Sequence, residues 1–332
     1  MGSLMVVNDI HASKHPPSSC TDSYCDDLID LLEQTVTIQR TRHVSGVIWA
    51  GDVFHHKGPS RTPHSLVQLL IGIGQSYRCP WYIVPGNHDI QHDRLDSIQD
   101  TQPLGVLYQA GAVRLEGWAS DCGVIGAPLY GVPWQQHWTD EAVREAFRGF
   151  TPRNDHTLVV THAPLYPPGQ ELTFEYYPAH DFARAMGPGG GYVAYGHVHE
   201  PHGVWRVGTE TETDDLIHSS IVTFCNNGAL SRGSLHEYNL TRQVGVTLWD
   251  AETCEFSFVP LKAKPAEEVF RLREKAQVTD MAGRLDEFLS DISHTSLAAV
   301  SVESVMERLR TTGADSGTLA LAEELLAHGA AK

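Results

Sequence analysis

Trp81-Tyr82-Ile83-Val84-Pro85-Gly86-Asn87-His88-Asp89 carries an apolar strand directly into a turn that presents an amide, an imidazole and a carboxylate. Such a turn is suited to chemistry: an Asn carbonyl oxygen can ligate a divalent cation, a neighbouring His can hand a proton to a departing oxygen, and the following Asp can fix the orientation of that imidazole. Gly86 is expected to let the backbone turn sharply enough to present all three. Four further segments share this form, a short apolar run that stops abruptly in His or Asp. Residues 4–7 precede Asn8-Asp9-Ile10-His11, 47–50 precede Gly51-Asp52, 158–160 precede Thr161-His162, and 192–195 precede Gly196-His197-Val198-His199. All five are expected to converge on one pair of metal ions.

The order of elements supports that convergence. Strand 4–7, a helix over 26–39 with Leu28, Leu31, Leu32 and Val36 on one face, strand 47–50, a helix opened by Thr62-Pro63 with Leu66, Leu69, Leu70 and Ile73 on one face, and strand 81–84 alternate as parallel strands with crossover helices do. In such sheets ligands bind beyond the carboxyl ends of the strands. Further on, short strands are expected over 123–127 and 130–132, a helix over 140–147, and alternating strands at 204–208, 217–224, 245–250 and 254–260 that suggest an antiparallel second half. The loop 165–191, rich in Pro, Gly and Tyr, is long enough to be a lid or rim, with Tyr176, Tyr177 and His180 as candidate substrate contacts. Trp134, His137 and Trp138 read as packing.

Composition narrows the class. The 332 residues can bury a full core and suggest one large domain, 1–264, plus a smaller helical region, 265–332, whose stripes (Met281, Leu285, Phe288, Leu289, Ile292; then Val302, Val305, Met306, Leu309) precede a last helix near 316–327. An early carboxylate at Asp9 and the lack of an apolar run of about 18 residues predict neither a signal sequence nor a membrane span, hence a cytoplasmic protein. Six cysteines without CxxC spacing predict buried free thiols. The net charge of -17 argues against broad adhesion to nucleic acid, while 19 histidines suggest metals or acid–base work. One candidate basic patch runs from Arg40 to His64 and holds Arg40, Arg42, Lys57 and Arg61.

Taken together, the Asp-x-His, Gly-Asp, Gly-Asn-His-Asp, His162 and Gly-His-x-His segments resemble the calcineurin-like metallophosphoesterase superfamily over most of the first 200 residues. The resemblance implies a four-layer α/β/β/α sandwich with a small C-terminal helical region. It also implies one metal held by Asp9, His11 and His199, a second by Asn87, His162 and His197, and Asp52 bridging them. Imidazole, carboxylate and amide donors favour borderline transition metals, so manganese is expected, with iron, zinc or magnesium as alternatives. Two divalent ions carry about +4 against -2 from Asp9 and Asp52, which leaves roughly +2 to attract a phosphate. His88 becomes the general acid or transition-state stabiliser, with Asp89 orienting it.

The stretch Gly51-Asp52-Val53-Phe54-His55-His56-Lys57 is similar to that of the DNA-repair branch, the SbcD-type nuclease subunits and their phage relatives, in which a His three residues after the bridging Asp lies near the scissile phosphate. Here that residue is His55. His56 is assigned to the surface, and Asn8 stands where the branch often has Ser, Thr or Gly. The branch implies a DNA exo- or endonuclease whose C-terminal segment docks an SMC-like ATPase, and a homodimer is also open. Such a partner would supply the DNA-binding charge that the chain lacks. The alternatives are a small-molecule or cyclic-nucleotide phosphodiesterase, which the acidity permits, and a non-catalytic scaffold.

Overall fold

Hydrophobic alternation along the strands sets the layers. The computed structural model describes residues 2–92, 94–119, 127–151, 156–169, 175–213, 216–272, 302–311 and 314–329. The strand expected over 123–127, except for its last residue, lies outside these, as do Cys122 and the stripe from Met281 to Ile292. In chain order the strands are β1 (Ser3–Asn8), β2 (Gly46–Ala50), β3 (Trp81–Val84), β4 (Val113–Arg114), β5 (Gly117–Trp118), β6 (Leu129–Val132) and β7 (Leu158–Thr161). They continue as β8 (Leu165–Tyr166), β9 (Tyr177–Pro178), β10 (Gly191–Tyr195), β11 (Gly203–Thr213), β12 (Leu216–Asn226), β13 (Gly245–Asp250) and β14 (Glu255–Pro260).

Two six-stranded sheets result, ordered β14-β13-β1-β2-β3-β4 and β11-β12-β10-β7-β6-β5. In each sheet the strands that bear expected ligands take part in parallel pairings: β1 with β2 and β2 with β3 in the first, β10 with β7 and β7 with β6 in the second. The second half is therefore mixed and not the antiparallel unit its alternating strands suggest. In that half β11–β12 and β13–β14 are antiparallel hairpins, while β12 runs parallel to β10 and β13 crosses over to lie antiparallel to β1.

Alternate residues of each strand face opposite layers. Leu4 and Val6 of β1, with Ile48, Ala50, Tyr82 and Val84, face the second sheet and meet Leu129, Leu158, Val160 and Ala194. Met5 and Val7, with Val47, Trp49 and Ile83, face outward onto Leu28 and Leu32 of α1 (Tyr24–Thr41) and Leu66 and Leu70 of α2 (His64–Ser76). Across the molecule, Val159, Val193, Tyr195 and Phe224 pack on Val143 and Phe182, which lie on the helices Asp140–Ala146 and Ala179–Ala185. The layers are thus helix, sheet, sheet, helix, and each buried Leu, Val or Phe contributes about 1.5–3 kcal/mol. Leu69, expected on the apolar face of α2, is instead 41% exposed, because the core takes up only the stripe Leu66, Val67, Leu70 and Ile73.

The chain divides into two compact units, Met1–Arg271 and Leu272–Lys332. The first runs past the composition change near residue 265, since Val269 and Phe270 are buried and Thr21 N donates to Val269 O at 2.9 Å. In the second, the helices Val302–Thr311 and Ser316–Gly329 share a small apolar cluster of Met306, Leu309 and Ala322. None of the described helices is long and apolar enough to cross a membrane. Among the described residues Cys25, Cys79 and Cys225 are free thiols, and Cys25 and Cys225 are buried.

Candidate metal centre

Each expected ligand follows the carboxyl end of a strand, and the structure brings all seven to one edge where the two sheets meet. Asp9 and His11 follow β1, Asp52 follows β2, Asn87 follows β3, His162 follows β7, and His197 and His199 follow β10. One donor atom from each of Asp9, His11 and His199 lies within 4.8 Å of the others, and the same holds for Asp9, Asp52 and His162. Asp9 therefore belongs to both groups, a wider role than the first-metal assignment that the resemblance implies. The two oxygens of Asp52 point to opposite sides, Oδ2 lying 3.4 Å from His11 Nε2 and Oδ1 3.3 Å from His162 Nε2. Asn87 Oδ1 accepts from His197 Nδ1 at 3.1 Å, and the His197 and His162 rings are 5.3 Å apart.

The backbone is strained where it delivers these groups. Asp9 (φ 46°), His11 (48°), Asp52 (47°) and His197 (72°) all occupy the left-handed region, which costs a non-glycine residue about 1–3 kcal/mol. Hydrogen bonds hold the strain in place: His11 N donates to Asp52 O at 2.7 Å and Ala12 N to Val53 O at 2.8 Å. Gly86 serves a different purpose from the expected turn. Its backbone is ordinary, but a Cβ would lie 2.3 Å from both Asp52 N and Asp52 Oδ1, so the glycine is there for close approach to Asp52. At Gly51 a Cβ would stand 2.0 Å from His162 Nδ1, and its φ of +85° strains any substitution further.

Burial governs the electrostatics. Asp9 is fully buried and its carboxyl is raised to about 7, by burial first, with the neighbouring Asp52 adding to the rise and His162 opposing it. Burial acts on Asp52 in the same direction, yet the charges of His162, His11 and His88 hold it well below the usual carboxylate range. Conversely, burial would depress His162, but Asp52 and Asp9 raise it to about 9. Burial lowers His11 well below its ordinary value, His197 to about 3, and His199 and His55 each to about 4.

The donor set fits cations. His11 Nε2 and His199 Nε2 face each other at 2.9 Å, and Asp9 Oδ2 and His11 Nδ1 are buried without a hydrogen-bond partner. Leaving such groups unpaired costs about 1–3 kcal/mol each, so a site that collects them calls for a ligand. Two buried carboxylates beside four imidazoles and an amide oxygen are the donors of a borderline divalent metal pair.

His88 lies at the mouth. Its backbone N–H donates to Asp52 Oδ1 at 2.8 Å, and its Nδ1 contacts His55 O at 2.6 Å, which leaves Nε2 as the outward nitrogen. Asp89 does not orient this ring. Both of its oxygens are taken up by backbone N–H groups, Gly86 at 3.0 Å and Val53 and Phe54 at 3.2 Å, so it fastens the turn after β3 to the turn after β2. Burial and the Asp52 charge raise its carboxyl to about 6 against those three donors. The His55 ring stands 5.6 Å from His11 and 6.0 Å from His88. His56 is half-buried beside it, with Nε2 enclosed and unpartnered.

Several site neighbours were missed or undervalued in the sequence. Trp134 packs, but on ligands, its ring 4.7 Å from His197 and 6.2 Å from His162. Trp138 is buried against Tyr177, His137 is exposed, and His180 lines a groove with Arg184 and Thr209. The segment that follows β12 through Asn227-Gly228 closes the edge: Ala229 N donates to His199 O, Leu230 N to Asn8 O and Ser231 Oγ to Asp9 O. Asn-Gly after an apolar run is a turn signal, though nothing in it points to this contact. Asn8 Nδ2 donates to Tyr195 O at 3.0 Å, tying β1 to β10 immediately before their ligands.

The candidate basic patch does not form. Arg40 lies in the last turn of α1 and donates to Ser76 O at the end of α2, whereas Lys57 and Arg61 follow Asp52. Because Tyr24 OH at the start of α1 donates to His11 O, its 18 residues, at about 1.5 Å each, carry Arg40 and Arg42 away from the site.

Fold and donor set together define a metallophosphoesterase sandwich. The family model for calcineurin-like phosphoesterases matches residues 2–201, and the chain belongs to that family. It is also similar to the DNA double-strand break repair protein Mre11 of Saccharolobus solfataricus, 21% identical over 208 residues, which are 62% of this chain and 51% of that protein. The chain thus spans about half the length of that curated relative.

Proposed function

We propose that the chain is a two-metal phosphodiesterase acting on DNA, a nuclease subunit that works with an SMC-like ATPase. The observation that carries this reading is the second imidazole at the mouth, His55, set beside His88 and His11 within 4.8 Å of both through its donor atom. A phosphodiester leaves a long backbone to be positioned, and a second imidazole beside the acid is suited to that task. The similarity to an Mre11 protein supports the DNA substrate.

In this reading Asp9, His11 and His199 would hold one ion, manganese by preference, Asn87, His162 and His197 would hold the other, and Asp52 would serve both. When bound, such a pair supplies charge and Lewis acidity for in-line attack of water at phosphorus. The protein's own groups do the rest. His88, with Nδ1 donating to His55 O, holds its transferable proton at Nε2 and passes it to the leaving oxygen; its imidazolium form acts as the acid. Asp89 keeps the two turns that carry Asp52 and His88 in register. His55 positions the diester. The C-terminal helices dock the partner ATPase, which also brings the cationic surface that a chain of charge -17 does not supply for phosphate neutralisation.

The test incubates the purified chain with Mn2+, Mg2+ or chelator on linear duplex and single-stranded DNA, beside bis-p-nitrophenyl phosphate, with His88→Ala as control. Mn2+-dependent DNA cleavage that the substitution removes is the expected result. Cleavage of the small diester with DNA left intact, even at low salt and with the partner ATPase added, would replace this reading with a small-molecule phosphodiesterase.

A further inference from the structure

The three groups of metal-ligating side chains at this edge differ in composition. Two contain carboxylates and overlap the ligand sets expected for the pair. The third, His11, His55 and His88, consists of imidazoles alone, one donor atom of each lying within 4.8 Å of the others. Two of its members are outside the expected ligand sets of the pair, and its chemistry is different: three neutral nitrogens favour zinc and other late divalent ions, whereas oxygen-rich groups suit manganese.

The local hydrogen bonding suits ligation. A metal-binding histidine generally donates its second ring N–H to a carbonyl or carboxylate, which fixes the tautomer and aims the free nitrogen. His88 does this, its Nδ1 lying 2.6 Å from His55 O. That contact also ties the backbone of His55 to the ring of His88. His11 Nδ1 is buried with no hydrogen-bond partner, and Tyr24 OH fixes the His11 carbonyl at 2.9 Å.

We propose that His11, His55 and His88 form a zinc-binding corner, and that zinc there switches the centre off. Occupation draws His11 away from the group it shares with Asp9 and His199 and blocks Nε2 of His88. The binding claim is independent of the substrate. The inhibitory consequence rests on the role assigned to His88 above.

The experiment compares two metals in three proteins. Metal-free wild type, His55→Ala and His88→Gln are titrated separately with Zn2+ against a chromophoric chelator and with Mn2+ by electron paramagnetic resonance. The expected result is a tight Zn2+ phase in the wild type that weakens at least tenfold in either variant, with Mn2+ affinity and stoichiometry unchanged in both. Equal Zn2+ affinity in all three proteins would overturn the corner. So would a parallel loss of Zn2+ and Mn2+ affinity, because the imidazoles would then serve the pair or its fold. With bis-p-nitrophenyl phosphate, Zn2+ added to the Mn2+-loaded wild type should inhibit at the concentration that fills the tight phase. Tight zinc binding without inhibition would keep the site and refute the role of His88.

Discussion

The two sheets contribute unlike halves to one centre. The first brings the negative charge, Asp9 and Asp52, on backbone forced into the left-handed region and sealed from solvent; Asp9 is fully buried. The second brings imidazoles alone, His162, His197 and His199, and these grade outward from the fully buried His162 side chain to His199, whose side chain is 32% exposed. Charge sits where water is excluded, and His199 lies at the more exposed end of the group. The difference implies that the first sheet decides whether cations bind at all, and the second decides how the centre meets its surroundings.

The largest effect should come from removing the charge between the halves. Asp52→Asn is expected to abolish paired metal binding and lower hydrolysis of bis-p-nitrophenyl phosphate by on the order of a thousandfold or more, as loss of a central electrostatic group in a low-dielectric site does. Metal content and turnover on the same preparation would check this; a variant that retained both ions and most of its rate would show that Asp52 does not join the two halves. Next, His88→Ala should lower kcat by about 10²–10⁴-fold while leaving metal stoichiometry unchanged, because His88 lies outside the expected ligand sets of the pair. Steady-state kinetics beside metal analysis separates the two.

Smaller effects probe the seam. Gly51→Ala places a methyl 2.0 Å from His162 Nδ1, at a φ that already strains the residue, and should destabilise by about 1–3 kcal/mol or more while weakening metal affinity. Asn8→Ala, which leaves Tyr195 O without its donor, should cost about 1–3 kcal/mol in denaturant melts, and Asn8→Ser should recover part of that.

The pH dependence of the metal-free protein follows from the same buried charges. His162 has its folded value raised to about 9, so its contribution is complete below 6.5 and disappears as pH rises through 9. Asp9, raised to about 7, loses its contribution in the same direction as pH climbs from 3.8 through 7. Depressed His197, His199 and His55 act in the window below 6.5, where falling pH costs stability. Between pH 7 and 9, therefore, the Tm of the metal-free protein should fall, whereas saturating Mn2+, which binds deprotonated ligands, should reduce or reverse that fall. Parallel melts with and without metal would show it.

Much of this centre was legible because its chemistry is local. An apolar run ending in Asp or His at a strand's carboxyl end carries its meaning within a few residues, so Asp9, His11, Asp52, Asn87, His162, His197 and His199 could be picked out and their strands drawn nearly to the residue, as with Trp81–Val84 and Gly245–Asp250. What escaped depends on contacts between distant segments. Asp89 sits beside His88 in sequence, yet its partners are the amides of Val53 and Phe54, and only the packing of two turns decides that. The bracing by Leu230 and Ser231 joins residues more than 200 positions from Asn8 and Asp9. The patch from Arg40 to His64 failed for a simpler reason: a helix carried its first half to the opposite end. The return of β13 to β1 is a choice among sheet edges that alternation cannot encode.

Five strand ends, on the proposed reading, hold a pair of cations with Asp52 between them. The most direct measurement is the Mn2+ stoichiometry and spin coupling of the purified chain by electron paramagnetic resonance, with Asp52→Asn alongside. Two ions per wild-type chain with an exchange-coupled signal, lost in the variant, is the predicted result. One isolated ion, or two uncoupled ions unaffected by the substitution, would contradict it.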